Sequence, residues 1–120
     1  MKTWAVVGLG NTPERAAFGV AKLLQDKGHR IIPVYPRAET VHGEVGYKTL
    51  SEIPGSVEVV DCFVNSTLVG KVVDEAIAIG AKAVWLQLDV IDNDAIARAQ
   101  AAGLVTVMDR CPAIEYRKKS

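Results

Sequence analysis

Gly8-Leu9-Gly10-Asn11-Thr12-Pro13 separates a run of apolar residues from a helical pattern, which is where a phosphate cradle belongs. Glycine lets the backbone approach an anion closely, and the free amides of a helix start point towards it. The spacing meets only part of the dinucleotide fingerprint, because Pro13 stands where the third glycine would be. A tight strand-to-helix turn with no ligand accounts for the same residues. Arg15 falls in the expected first helical turn, where its charge opposes the helix dipole and a bound anion would remove the conflict. The plainer alternative is an exposed arginine pairing with Glu14 or Asp26.

A second group follows the next apolar run, at Tyr35-Pro36-Arg37. A site for an unphosphorylated dinucleotide wants Asp or Glu at that place to accept from ribose hydroxyls. Here no acid comes before Glu39, and Arg37 instead suits a ribose phosphate, as carried by NADP or coenzyme A. Further along, Val64-Asn65-Ser66, Gln87 with Asp89, and Asp109-Arg110-Cys111 each follow a strand-like run. Asn65 and Ser66 serve equally as helix caps, and Gln87 can simply alternate inward along its strand. Cys62 lies within an apolar strand and reads as a buried, inert thiol. Cys111 reads as structural, with a second possibility: Arg110 beside it would favour a thiolate and a redox switch.

His29 and His42 have no His or Cys partner at metal spacing, so no metal site is expected. His29 is expected at the surface and His42 in an irregular segment near the cleft. No Ser/His/Asp order and no paired carboxylates stand out, so no catalytic residues are assigned.

These groups need a frame that brings them together. Trp4 to Leu9 reads as a buried strand, and Thr12 and Pro13 as cap and first turn of a helix over Ala17, Val20, Ala21 and Leu24. Gly28 stops that helix, and Ile31 to Val34 forms the next strand before Pro36. The unit recurs: a run from Val57 to Val64, a helix capped by Ser66 or Thr67 and ended by Gly80, and a strand at Ala83 to Gln87. Asp92 then caps a helix that Gly103 stops before Leu104 to Val107. Alternation of this kind predicts an α/β, Rossmann-like, doubly wound domain over 1–120, with a mostly parallel sheet of five to six strands and helices on both faces. Between Arg37 and Pro54 the pattern is irregular, with a short edge strand at Val45-Gly46-Tyr47 and a helical turn at Leu50-Ser51-Glu52. In such folds ligands bind beyond the carboxyl ends of the strands, so every group named above except the histidines and Cys62 falls on one edge.

Fourteen basic residues balance fourteen acidic ones, so no global field would recruit nucleic acid or an anionic membrane. Phosphate recognition must come from a few placed groups. Arg117-Lys118-Lys119 reads as a solvated tail. The apolar runs fall short of the roughly 20 residues a membrane span requires, and no basic leader with an apolar run opens the chain. A cytoplasmic protein with reduced thiols is expected. A homodimer or a partner enzyme is permitted by the exposed sheet edges and by Ala113-Ile114, without being required.

Taken together, these residues resemble the CoA-binding domain family, small proteins similar to the N-terminal domain of the succinyl-CoA synthetase α subunit. The likeness runs from Ala5 to Ile114. It rests on Val6-Val7-Gly8-Leu9, Asn11 to Arg15, Gly19-Val20 and Ile32 to Arg37. Val59-Val60-Asp61, Glu75 to Lys82, Val84 to Gln87 and Met108 to Pro112 complete it. The resemblance implies a six-stranded sheet ordered 3-2-1-4-5-6 with coenzyme A or an acyl-CoA across its carboxyl edge. It places phosphates on Gly10 to Arg15, the ribose phosphate near Arg37, the pantetheine arm past Val64-Asn65, and Cys111 towards the thiol end. It implies binding by a sensor, carrier or partner subunit, since the synthetase's ligase chemistry needs a phosphohistidine domain and a nucleotide-binding partner. An NADP-dependent oxidoreductase fragment and a CoA-linked redox switch at Cys111 remain the alternatives.

Overall fold

A computed structural model describes residues 3–111 and 114. The basic cluster Arg117-Lys118-Lys119, Pro112 and Ala113 lie outside the described residues. Five strands form one parallel sheet: β1 (Thr3–Val7), β2 (Arg30–Val34), β3 (Val59–Cys62), β4 (Ala83–Leu86) and β5 (Val105–Val107), in the spatial order β2-β1-β3-β4-β5. Among the described residues three α-helices of more than one turn alternate with them: α1 (Ala16–Asp26), α2 (Ser66–Ala78) and α3 (Asn93–Ala101).

Period-two alternation decides which residues meet which helices. Ala5, Val7, Ile32, Val34, Val60, Cys62, Val84 and Leu86 pack with Val69, Val73 and Ala76 of α2 and with Ala95 and Ala99 of α3. Trp4, Val6, Ile31 and Val59 pack with Ala17, Val20, Ala21 and Leu24 of α1. Both faces are covered, as the unbroken apolar runs of the strands predict. The helices end where expected, with left-handed glycines at Gly28, Gly80 and Gly103.

Four local expectations change. The edge strand at Val45 to Tyr47 is a single parallel bridge between Tyr47 and Val34. The Tyr47 amide donates to the Pro33 carbonyl and the Tyr35 amide to the Tyr47 carbonyl. On that outer edge Pro33 has no N–H to give, and the chain turns away at Pro36, so the ladder cannot lengthen. The six-strand order thus becomes five strands plus a bridge. Secondly, α1 begins at Ala16, not at Thr12-Pro13: the Thr12 carbonyl accepts the Arg15 amide at 3.0 Å, closing a turn. Pro13 uses its fixed φ at the second position of that turn, a place proline favours as much as a helix start. Thirdly, the α2 cap is Asn65, whose side-chain oxygen accepts the Thr67 amide. Finally, His29 is half-buried, its ring 5.6 Å from that of Trp4, and not a surface residue. The turn at Leu50–Glu52 is present as a 3-10 helix and Asp92 caps α3.

Asp61 sits fully buried in the central strand β3. Neither carboxylate oxygen has a hydrogen-bond partner among the described residues, and burial holds its pKa well above the usual carboxylate range. Cys62 next to it is equally buried, and burial followed by the Asp61 charge pushes its thiol up, which fits an inert core residue. No helix among the described residues is long and apolar enough to cross a membrane.

Candidate functional site

The first residue beyond each of β1, β3 and β4 hydrogen-bonds to the end of a neighbouring strand. Gly8 N–H donates to the Val34 carbonyl, Phe63 N–H to Val7, and Gln87 N–H to Cys62, at 2.8, 2.8 and 3.2 Å. Arg110 N–H reaches the Leu86 carbonyl at 3.3 Å. The carboxyl ends of the strands therefore stop at one level, and the loops that follow are held side by side. Strain gathers along the same edge. Ala38, His42, Asp89 and Asp109, the described non-glycine residues with positive φ, all lie in loops that follow strands there. Such conformations persist only where surrounding contacts enforce them, and they cluster at functional sites.

Gly8 opens the β1–α1 loop at φ +100°, and a Cβ there would lie 2.5 Å from the Phe63 carbonyl oxygen. Beside it is a cavity of about 210 Å³ lined by Gly8, Arg15, Ala16, Ala17 and Phe63. The helix α1 starts at that cavity with no side-chain cap and no acidic residue in its first turn. The amides of Ala16 and Ala17 have no partner among the described residues. Free first-turn amides carry the positive end of the helix dipole, so the cavity favours an anion. Arg15 adds an exposed guanidinium at the N-cap and pairs with neither Glu14 nor Asp26, the partners of the plainer alternative; Asp26 pairs with Lys22 instead.

The other limb of the loop has a different chemistry. Gly10 packs against the Tyr35 ring and the Glu39 carboxylate, the latter only 2.8 Å from where a Cβ would stand. The Asn11 amide donates to Glu39 Oε1 at 2.9 Å, and the Asn11 side chain donates to the Thr40 carbonyl at 2.6 Å. The acid that the sequence lacks directly after β2 is thus delivered by the chain folding back. Pro36 and Arg37, shortly before it in the chain, are exposed, and Arg37 makes no ion pair among the described residues. Thr12 and Pro13 form the exposed turn between the two limbs.

The remaining predicted residues divide. Gln87 is 7% exposed, and its Oε1 is buried with no hydrogen-bond partner among the described residues. Asn65 uses its oxygen on the Thr67 amide and hydroxyl, at 2.9 Å each, so capping occupies that atom. Val64 is half-buried against the α2–α3 side of the core. Cys111 is 8% exposed and packs in the α1-side core instead of lying open at the edge. Sequence reasoning did not single out Phe63 or the Ala16 and Ala17 amides, and it passed over Glu39. Its signal was faint: an acid two residues after Arg37, in a segment bounded by Pro36 and Gly46.

Residues 2–117 match the family described as CoA binding domain. The chain belongs to that family. It is 33% identical over 110 residues to the protein YneT of Bacillus subtilis, covering 92% of this chain and 82% of that protein. A solved structure of a protein from Pyrococcus horikoshii superimposes with a TM-score of 0.93 at 39% identity, covering 98% of this chain and 82% of that one. The α subunit of an ADP-forming acetate–CoA ligase from Pyrococcus furiosus is 38% identical over 71 residues, which is 54% of this chain and 16% of that subunit. Within the CoA binding domain family, then, this chain has the α/β fold and carries an uncapped helix start at the carboxyl edge of the sheet.

Proposed function

We propose that the protein binds coenzyme A or an acyl-CoA at the carboxyl edge of its sheet, as a binding module and not as a ligase. The observation that carries this reading is the uncapped start of α1, which opens on the cavity beside Gly8 and Arg15. Phosphate oxygens would accept from the Ala16 and Ala17 amides and from Arg15. Arg37, exposed and without an ion pair among the described residues, would pair with the 3′-phosphate. Gln87 offers a buried acceptor with no partner among the described residues, and the amide N–H groups of a pantetheine arm are donors of the matching kind. Membership of the CoA binding domain family supports the same ligand.

Isothermal titration tests the proposal with coenzyme A, dephospho-CoA and NADPH. Coenzyme A is expected to bind, dephospho-CoA about tenfold more weakly, the scale of one hydrogen bond to a charged group, and NADPH not at all. Absence of heat with coenzyme A would overturn the reading.

A further inference from the structure

Glu39 is fixed in place by the segment that carries it. Ala38, immediately before it, is forced to φ +51°. Gly46 lies so close to the Glu39 carbonyl that no side chain would fit there. The segment between is pinned to the body of the protein. Val41 is fully buried and exchanges backbone hydrogen bonds with Glu44 at 3.0 and 2.9 Å. The Gln25 side chain donates to the His42 carbonyl at 3.0 Å, and the His42 ring lies 4.3 Å from that of Phe18. Such an anchored strap holds a carboxylate against the ligand loop before any ligand arrives.

That carboxylate changes what the loop can accept. Its Oε1 takes the Asn11 amide, a donor that a phosphate would otherwise use. Its Oε2 has no partner among the described residues, and an ionised carboxyl group can only accept. The group that docks on Oε2 must therefore be a donor. Across the turn, Arg15, Ala16 and Ala17 line the cavity at the uncapped start of α1. Two residues before Glu39, Arg37 provides a cation, and the two side chains form no ion pair with each other. The loop after β2 thus carries a cation and an acceptor two residues apart. The ribose of coenzyme A presents the complement, a 3′-phosphate next to a free 2′-hydroxyl.

We propose that Glu39 accepts a hydrogen bond from the ribose 2′-hydroxyl and so selects a 2′-OH, 3′-phosphate ribose. This deepens the coenzyme A reading and rests on it. A purely structural Glu39, whose only task is to staple the loop through Asn11, would not distinguish the hydroxyl. The test is titration of the wild-type protein and of Glu39→Gln with coenzyme A and with 2′-deoxy-CoA, which keeps every phosphate. Glutamine retains an oxygen for the Asn11 amide, so the staple survives, and urea unfolding of the variant checks this. The wild-type protein is expected to prefer coenzyme A about tenfold, and the variant to lower that ratio to about twofold or less. A wild-type ratio near one, or an unchanged ratio in Glu39→Gln, would overturn the assignment while leaving coenzyme A binding intact. No binding of coenzyme A by the wild-type protein would overturn both readings.

Discussion

Gly8 and the Phe63 carbonyl are in such close approach that a Cβ on residue 8 would lie 2.5 Å from that oxygen. The contact spans the junction of β1 and β3, and the φ of +100° at Gly8 turns the chain towards α1. Gly8→Ala must therefore both overlap a carbonyl and adopt a conformation that L-residues avoid. A loss of about 2–4 kcal/mol in urea unfolding is expected, with coenzyme A binding weakened by displacement of the loop. Wild-type stability in the variant would mean that the loop can relax without cost.

Most of the frame that places this contact was legible in the residues. The unbroken apolar runs of β1, β3 and β4, each followed by a helical pattern ending in glycine, required a parallel sheet with two covered faces. What escaped were choices between local partners of similar strength. Pro13 fits a turn and a helix start equally well, and only the Thr12 carbonyl accepting the Arg15 amide decides between them. Ser66 was a plausible cap, but its hydroxyl donates to the Asp89 carbonyl and accepts the Ile91 amide, leaving Asn65 to cap α2. Glu39 was hidden for a further reason: its role depends on a left-handed Ala38 that no residue preference announces.

Asp61 predicts an unusual dependence of stability on pH. Burial raises its folded pKa, so between the unfolded value of about 3.9 and the folded value the native state binds the extra proton. Its contribution is then fully present below the unfolded value and is lost as pH rises through the folded one. Asp61→Asn removes the titration. Urea unfolding from pH 4.5 to 8 should show wild-type stability falling relative to the variant, with Asp61→Asn more stable at pH 7 by roughly 1 kcal/mol or more. Parallel profiles for the two proteins would show that the carboxyl group keeps the same proton on unfolding.

Gln87 separates stability from binding. Its buried, unpartnered Oε1 costs the free protein part of a hydrogen bond, a penalty that a ligand donor would remove. Gln87→Leu keeps the volume and discards the acceptor. Thermal unfolding is expected to be unchanged or raised by about 1 kcal/mol, while coenzyme A affinity falls about threefold to tenfold. Should stability drop and affinity stay constant, Gln87 would belong to the core and not to the site.

Arg15 and Arg37 stand at opposite limbs of the site, and their replacement should divide the ligand in two. Arg15 lies at the N-cap of α1 beside the cavity, where a pyrophosphate would sit, so Arg15→Ala removes a contact that coenzyme A and dephospho-CoA share. Both ligands are expected to weaken by about tenfold. Arg37 lies beyond β2, and its partner would be the 3′-phosphate alone. Arg37→Ala is expected to weaken coenzyme A by about tenfold and to leave dephospho-CoA within about twofold, abolishing the preference between them. Each arginine is exposed, so neither substitution should move the urea midpoint, and the affinities can be compared directly. Equal losses for both ligands in Arg37→Ala would move Arg37 to the pyrophosphate. That outcome would deprive Glu39 of its neighbouring cation at the ribose.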